Sequence, residues 1–235
     1  MVSCKLIVGA VLASSSVATT ASSGSSLVWR WRNYANASPV SPVDQPVTIH
    51  VPPDTDIWRP APDRNNFTAP FLYTTVPAAS FLSARVTVAA PWRTLYDQGG
   101  LVLAFPSREA FAARSIKAGI EFTDGAPALG VVGTDTLSDW SLSPLLERQT
   151  GGNQTATVTI ERQGTDAWVY VLEDGGRTRR QLRQVTWAFS RYDGRAGQMV
   201  HVGIYGAKPT RESPPSDPLT KLPVSLFDFE LVLKK

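Results

Sequence analysis

Ile116-Lys117-Ala118-Gly119-Ile120-Glu121-Phe122 alternates between large or small apolar residues and a polar-or-glycine set with a period of two. In an extended strand successive side chains point to opposite faces, so Ile116, Ala118, Ile120 and Phe122 face a core while Lys117, Gly119 and Glu121 share the other surface. A lysine and a glutamate flanking a glycine leave a gap in the side-chain layer. That gap would admit a ligand ring between a donor and an acceptor, and the glycine permits close approach of another chain. The alternative is a solvated Lys–Glu pair, which would add little stability.

Working outward, the same period recurs. In Phe81–Val88, Leu82, Ala84, Val86 and Val88 fall on one face, with Ser83, Arg85 and Thr87 on the other. In Thr155–Glu161, Ala156, Val158 and Ile160 oppose threonines and a glutamate, and Gln163-Gly164-Thr165-Asp166 then reads as the turn of a hairpin into Ala167–Glu173. Leu101–Phe105 is apolar on both faces, as a central strand is, and Val185–Phe189, Met199–Tyr205 and Phe227–Leu233 extend the list. In the last of these, Phe227, Phe229, Leu231 and Leu233 are expected inward, with Asp228 and Glu230 on a solvated face. Only Arg108–Arg114 looks helical. Many strands with no βαβ rhythm imply an all-β sandwich. Pro209–Pro223, with five prolines, reads as a long loop before the final strand.

Composition narrows the function classes. The chain has 235 residues, 43% of them hydrophobic and 18% charged, enough to bury a core, and its 18 Pro and 17 Gly favour turns over long helices. A net charge of +3 is too small to argue for a polyanionic partner, so nucleic acid is not expected. The densest basic stretch, Arg177, Arg179, Arg180 and Arg183, follows Asp174-Gly175-Gly176 and reads as a charged hairpin tip or strand edge. A single cysteine, Cys4, and two histidines, His50 and His201, leave no disulfide, no cysteine nucleophile in the main domain and no ligand spacing for a metal. No cofactor is expected.

Residues 1–26 differ from the rest. Lys5 precedes the apolar run Leu6–Ala13, and Ser16-Val17-Ala18 fits a small-x-small cleavage pattern. The segment is either a signal peptide cut near Ala18 or a disordered Ser/Ala/Thr-rich extension, so localisation stays open between secreted and cytoplasmic. The run is too short to span a bilayer. N-x-S/T sequons at Asn36, Asn66 and Asn153 lean weakly towards secretion. Residues 27–235 are expected to form one β-sandwich domain.

The polar residues with ligand-binding chemistry gather in one stretch of the sequence. Tyr96-Asp97-Gln98 ends a loop and opens a buried strand, offering donors and acceptors at a sheet rim, or bracing a turn. Ser138-Asp139-Trp140-Ser141 offers a stacking platform with a carboxylate beside it, or a core tryptophan next to a polar turn. With Lys117 and Glu121, and Trp58 as a wall, the candidate ligand-binding set is Trp58, Tyr96, Asp97, Gln98, Lys117, Glu121, Asp139 and Trp140.

Six segments, DTDIWRPAP (54–62), APFLY (69–73), WRTLYDQGGLVL (92–103), IKAGIEF (116–122), VVGTDTLSDWS (131–141) and VHVGIYGAKP (200–209), resemble a little-characterised concanavalin A-like family that includes the regulation-of-enolase protein. The order of YDQGG, IKAGIE and SDWS carries the resemblance, which covers residues 27–235. It implies a two-sheet jelly roll, brings no agreed catalytic residues, and suggests a glycolytic enzyme as a partner. In that family an aromatic often precedes the Ile-Lys pair, where this chain has Ser115. Sandwich glycosidases use an E-x-D-x-x-E strand, and none occurs here; the nearest pair, Asp228 and Glu230, reads as solvated. The leading reading is a non-catalytic carbohydrate- or ligand-binding sandwich. The alternatives are an intracellular protein-interaction module and, behind it, a glycosidase-like enzyme.

Overall fold

The computed structural model describes residues 27–35, 37–145, 154–190, 198–214 and 216–235. The N-terminal segment 1–26 and the sequons at Asn36 and Asn153 lie outside the described residues. The strands are β1 (Arg30–Arg32), β2 (Val47–Val51), β3 (Ile57–Ala61), β4 (Arg64–Phe67), β5 (Phe71–Pro77), β6 (Phe81–Ala89), β7 (Gln98–Phe105), β8 (Arg114–Thr123), β9 (Ala126–Thr134), β10 (Ser138–Pro144), β11 (Thr155–Gln163), β12 (Asp166–Glu173), β13 (Thr178–Val185), β14 (Met199–Ala207) and β15 (Leu222–Leu233). One antiparallel sheet has the order β1-β5-β14-β7-β8-β9-β10, and a second has β13-β12-β11-β6-β15-β2. The two face each other as an all-β sandwich; no helix among the described residues is long and apolar enough to cross a membrane.

The core between the sheets is built from the alternation the sequence displays. Leu101, Leu103, Ile116, Ala118, Ile120, Val131, Val202 and Ile204 of the larger sheet meet Ile49, Ala84, Val86, Val88, Val158, Ile160, Val169 and Val224 of the smaller one. Each Leu or Ile buried this completely contributes about 1.5–3 kcal/mol from lost contact with water. The hairpin Thr155–Glu173 forms as expected, with Gln163 opposite Asp166.

Four expectations give way to local chemistry. Val185–Phe189 is not a strand: β13 ends at Val185, and 186–189 form a turn in which the Ala188 N–H reaches the Val185 carbonyl at 3.4 Å. Leu82 is 40% exposed while Phe81 is buried, because a register shift between Val232 and Leu233 turns the first residue of β6 inward. In β15 a second shift, between Phe227 and Glu230, coincides with a left-handed Asp228 (φ 52°). Leu226 and Phe229 are therefore both buried, Phe227 is half-buried, and Glu230 pairs with Arg85 at 3.0 Å. Arg108–Arg114 is not a helix. Ser107 Oγ accepts the N–H groups of Glu109 and Ala110, Ala113 N–H reaches the Phe105 carbonyl, and Arg114 already pairs as a strand residue.

β13 is an edge strand, as its arginines suggest, and they are tied down rather than free. Arg179 pairs with Glu161 at 2.9 Å, Arg180 with Glu173 at 2.9 Å, and Arg183 with Asp139 at 2.5 Å.

The outer face of the larger sheet is not uniformly wet. The two-stranded hairpin β3–β4 and the 106–113 loop roof one part of it. Beneath them a second apolar cluster joins Ile57, Ala69, Phe71, Val102, Ala104, Ala112, Tyr205 and Ala207. Arg59 of β3, nearly buried, donates to the carbonyls of Ala113 (2.9 Å), Asp135 (2.8 Å) and Ala112 (3.0 Å), while Ser138 Oγ accepts its backbone N–H.

Candidate functional site

The registers β14–β7–β8–β9–β10 decide which side chains share the outer face. Gln98 lies opposite Ala207 and Glu121, Gly100 opposite Tyr205 and Gly119, and Val102 opposite Gly203 and Lys117. Across the next ladders Glu121 is opposite Ala128, Gly119 opposite Gly130, and Val132 opposite both Lys117 and Trp140. Gly100, Gly119 and Gly130 therefore form a row without side chains, flanked by Gln98 and Glu121 on one side and by Lys117 and Trp140 on the other. Gly119 has a backbone reason to be glycine: a Cβ there would sit 1.9 Å from the Gly99 carbonyl oxygen.

Lys117 Nζ donates to Gln98 Oε1 at 2.5 Å and meets Asp56 Oδ1 at 3.5 Å, in a position only 4% exposed. Gln98 Nε2 in turn reaches Asp56 Oδ1 (3.4 Å) and the Tyr96 carbonyl (3.3 Å), and Tyr205 donates its hydroxyl to Gln98 Oε1 at 3.3 Å. Burial, with Glu121 and Asp56 nearby, pushes the Tyr205 pKa well above its ordinary value, so this hydroxyl stays a neutral donor. Glu121 is 8% exposed. Burial raises its pKa, Lys117 pulls it back, Asp56 pushes it further up, and a hydrogen bond from Trp140 lowers it again. Its Oε2 would stand 2.9 Å from a Cβ at Gly130, and the Trp140 indole nitrogen 3.7 Å from the same point. Carboxylate and indole thus share the space above a glycine.

The rim is aromatic. Tyr96 (37% exposed) and Trp140 (36% exposed) meet edge to face with ring centroids 6.2 Å apart and planes at 78°. Tyr96 occupies left-handed backbone (φ 66°), an uncommon conformation for a bulky residue and one that surrounding structure must enforce. Asp97 supplies the enforcement. Its Oδ2 accepts the backbone N–H groups of Thr94 (3.0 Å) and Arg93 (3.3 Å), and Oδ1 takes the buried Lys208 ammonium at 3.1 Å. Lys208 also donates to Thr94 Oγ1 (2.8 Å) and Glu212 (3.2 Å), and Glu212 receives Arg93 Nε at 2.8 Å. Burial raises the Asp97 pKa against the opposing pull of Thr94, Lys208 and Arg93. Burial also works upward on Glu212, but hydrogen bonds from Arg93, Lys208 and Thr94 outweigh it and leave that pKa below the ordinary range.

Five of the eight sequence-selected residues meet here: Tyr96, Gln98, Lys117, Glu121 and Trp140. Asp97 lies behind the turn in its own ion-pair network. Asp139, out of phase with Trp140, turns to Arg183 of the other sheet. Trp58 is half-buried and alternates with the buried Ile57 and Arg59. Asp56, Tyr205, Lys208 and Glu212 belong to the site or its support and were not selected. Asp56 and Tyr205 do fall inside the DTDIW and VGIYG segments, which is the signal that pointed towards them. Beyond Trp140 the face opens into a groove lined in part by Pro127, Ala128, Leu142 and Pro144. Among the described residues no group of three or more His, Cys, Asp or Glu could hold a metal ion.

Fold and site together define an antiparallel β-sandwich with a partly buried polar patch on the outer face of its larger sheet. The chain belongs to the family described as Protein of unknown function (DUF1349), which matches residues 31–217. It is similar to the Uncharacterized protein AN7484 of Emericella nidulans, 37% identical over 69% of this chain and 77% of that one. It is also similar to the Regulation of enolase protein 1 of Saccharomyces cerevisiae, 29% identical over 62% of this chain and 64% of the relative, just under two thirds of its length. Among solved structures, a functionally unknown protein from Saccharomyces cerevisiae shares the fold with a TM-score of 0.65 and 21% identity, covering 88% of this chain and 97% of that one. The GH43 BlXynB protein of Bacillus licheniformis gives a TM-score of 0.51 at 13% identity, over 74% of this chain but 32% of that one. Both are likenesses of fold alone.

Proposed function

We propose that this chain is a non-catalytic binding protein of concanavalin A-like type. It holds a carbohydrate-class ligand at the Tyr96–Trp140 rim above Gln98, Lys117 and Glu121. The observation that carries the reading is the half-exposed perpendicular aromatic pair standing directly beside nearly buried hydrogen-bonding groups. Sugar rings present apolar C–H faces to aromatics and hydroxyls to exactly such mixed donors and acceptors. A glycan array followed by titration calorimetry tests it. Binding is expected to be lost in Trp140→Ala and Tyr96→Ala while both variants stay folded. Absence of binding to any glycan at millimolar concentration, with folded protein, refutes it.

A second reading, a protein-interaction module with a glycolytic-enzyme partner, draws on the name of the yeast relative and on one observation. Leu95 and Leu142, both exposed, extend the apolar rim beside Tyr96 and Trp140. It predicts co-purification with such an enzyme that is lost in Leu142→Asp. Mass spectrometry showing a mature N-terminus near Thr19 in culture supernatant would count against it.

A further inference from the structure

The same site carries an electrical asymmetry that a neutral ligand would not use. Asp56 and Glu121 face one cation, Lys117, and that cation is already engaged: its Nζ is 2.5 Å from Gln98 Oε1 and 3.5 Å from Asp56 Oδ1. Glu121 forms no ion pair among the described residues, although the residue is only 8% exposed. Two acids against one base leave the Glu121 carboxyl without a charged partner at the foot of the opening. The Trp140 indole N–H donates to this carboxyl, but one neutral donor does not replace the water that a buried carboxylate gives up, and a further donor is needed to offset the cost.

The walls have the matching property. The Tyr96 and Trp140 rings stand at 78° with centroids 6.2 Å apart, forming a corner rather than a stack. Aromatic faces attract cations through their quadrupoles, and two rings at right angles present such surfaces to one volume. Gly130 keeps the floor of the corner open where any side chain would meet the Glu121 carboxylate.

We propose that the site selects ligands bearing a protonated amine, the chemistry of an amino sugar, over neutral or N-acylated counterparts, with Glu121 as the acceptor of the ammonium. The inference rests on the carbohydrate-binding reading above and assigns its specificity. Arg93, the other cation on the rim turn, does not oppose it, because Arg93 Nε is held by Glu212 at 2.8 Å. Lys117 orients the patch through Gln98 and Asp56, and the Glu121 carboxyl keeps acceptor capacity beyond the Trp140 hydrogen bond for the ligand.

The test is calorimetric titration of the whole chain at pH 6 with three trimers: a glucosamine oligomer, its N-acetylated counterpart and a neutral glucose oligomer. One cation–π contact and one partly desolvated charge pair together predict at least about tenfold tighter binding of the amine. Glu121→Gln, with its fold checked by thermal melting, is expected to bring the three affinities together. Trp140→Ala is expected to weaken all three. Equal binding of the amine and neutral trimers by the native chain overturns the selectivity and leaves the binding reading standing. A preference that survives Glu121→Gln overturns the role of Glu121. If none of the trimers binds and a broad glycan array is blank as well, the reading beneath the proposal falls with it.

Discussion

Replacing Lys208 with methionine removes a cation whose ammonium is shared by Asp97 (3.1 Å), Glu212 (3.2 Å) and Thr94 (2.8 Å), with the Lys208 and Asp97 side chains no more than 1% exposed. Methionine keeps most of the volume, so the loss is chiefly electrostatic. Taking one partner from a buried pair strands the other, at a cost of about 3–5 kcal/mol. For a chain of this length that lowers the melting temperature by roughly 10 °C.

The pH dependence separates this cause from simple misfolding. The native Asp97 pKa is raised by burial, so its contribution to stability is full below the unfolded carboxyl value of about 3.9 and lost as pH rises through the folded value. Without Lys208 that folded value climbs further. The Glu212 pKa is lowered, so its contribution is present above the unfolded value and disappears as pH falls through the folded one. Both effects narrow the gap between native and variant chains in acid and widen it at neutral pH. Urea unfolding followed by circular dichroism from pH 4 to 8 measures that gap, and the double variant Lys208→Met/Asp97→Asn is expected to recover part of it. A loss below about 1 kcal/mol, or one of constant size across this range, would refute the argument.

Other outcomes follow from single features. Tyr96→Gly relieves left-handed strain as it removes the ring, so stability is expected to stay within about 1 kcal/mol of native while Tyr96→Val loses about 2 kcal/mol; comparable urea midpoints for the two would contradict this. Gly119→Ala drives a Cβ to 1.9 Å from the Gly99 carbonyl oxygen and is expected to cost at least about 3 kcal/mol; a native melting temperature would show the close approach to be dispensable. His201, with its Nδ1 2.8 Å from Thr75 Oγ1 and its ring stacked on Phe111, has a pKa lowered to about 4 by burial and by Arg32. Its neutral form therefore contributes stability that is full above about 6.5 and lost as pH falls to about 4. After allowance for partial solvent screening this is about 2 kcal/mol. An NMR titration of the ring placing the pKa near 6.5, or an unchanged acid limb in His201→Gln, would contradict it.

Where a strand has one buried face, the sequence displays it. The alternation in Thr155–Glu161 corresponds to β11 because water sorts residues with a period of two, and the doubly apolar Leu101–Phe105 corresponds to the central β7; the alternation in Ile116–Glu121 marks β8, whose polar face is buried as well, within the site. Bulges break that sorting without a compositional mark, which is why Leu82 and Phe227 turned the other way. The site was legible only within a strand or a turn. Gln98 and Tyr205 are 107 positions apart and meet through β7–β14 register, which no local pattern encodes. Asp97 and Asp139 each adjoin a residue of the site in sequence, and one step along a strand or out of a turn sends a side chain elsewhere. Asp97 satisfies backbone N–H groups and a buried lysine, whose chemistry resembles that of a ligand site when only residue types are known.

Arg59 gives the β3–β4 roof a further property. A lysine offers a single point of charge and would locate the hairpin without orienting it. The planar guanidinium instead reaches three carbonyls, two beside the start of β8 and one in the turn before β10, while the Arg59 backbone N–H meets Ser138. The roof is thereby keyed in translation and rotation at once, and the two loops it touches are gauged against each other through one side chain. Whatever displaces one of the three must carry the other two along.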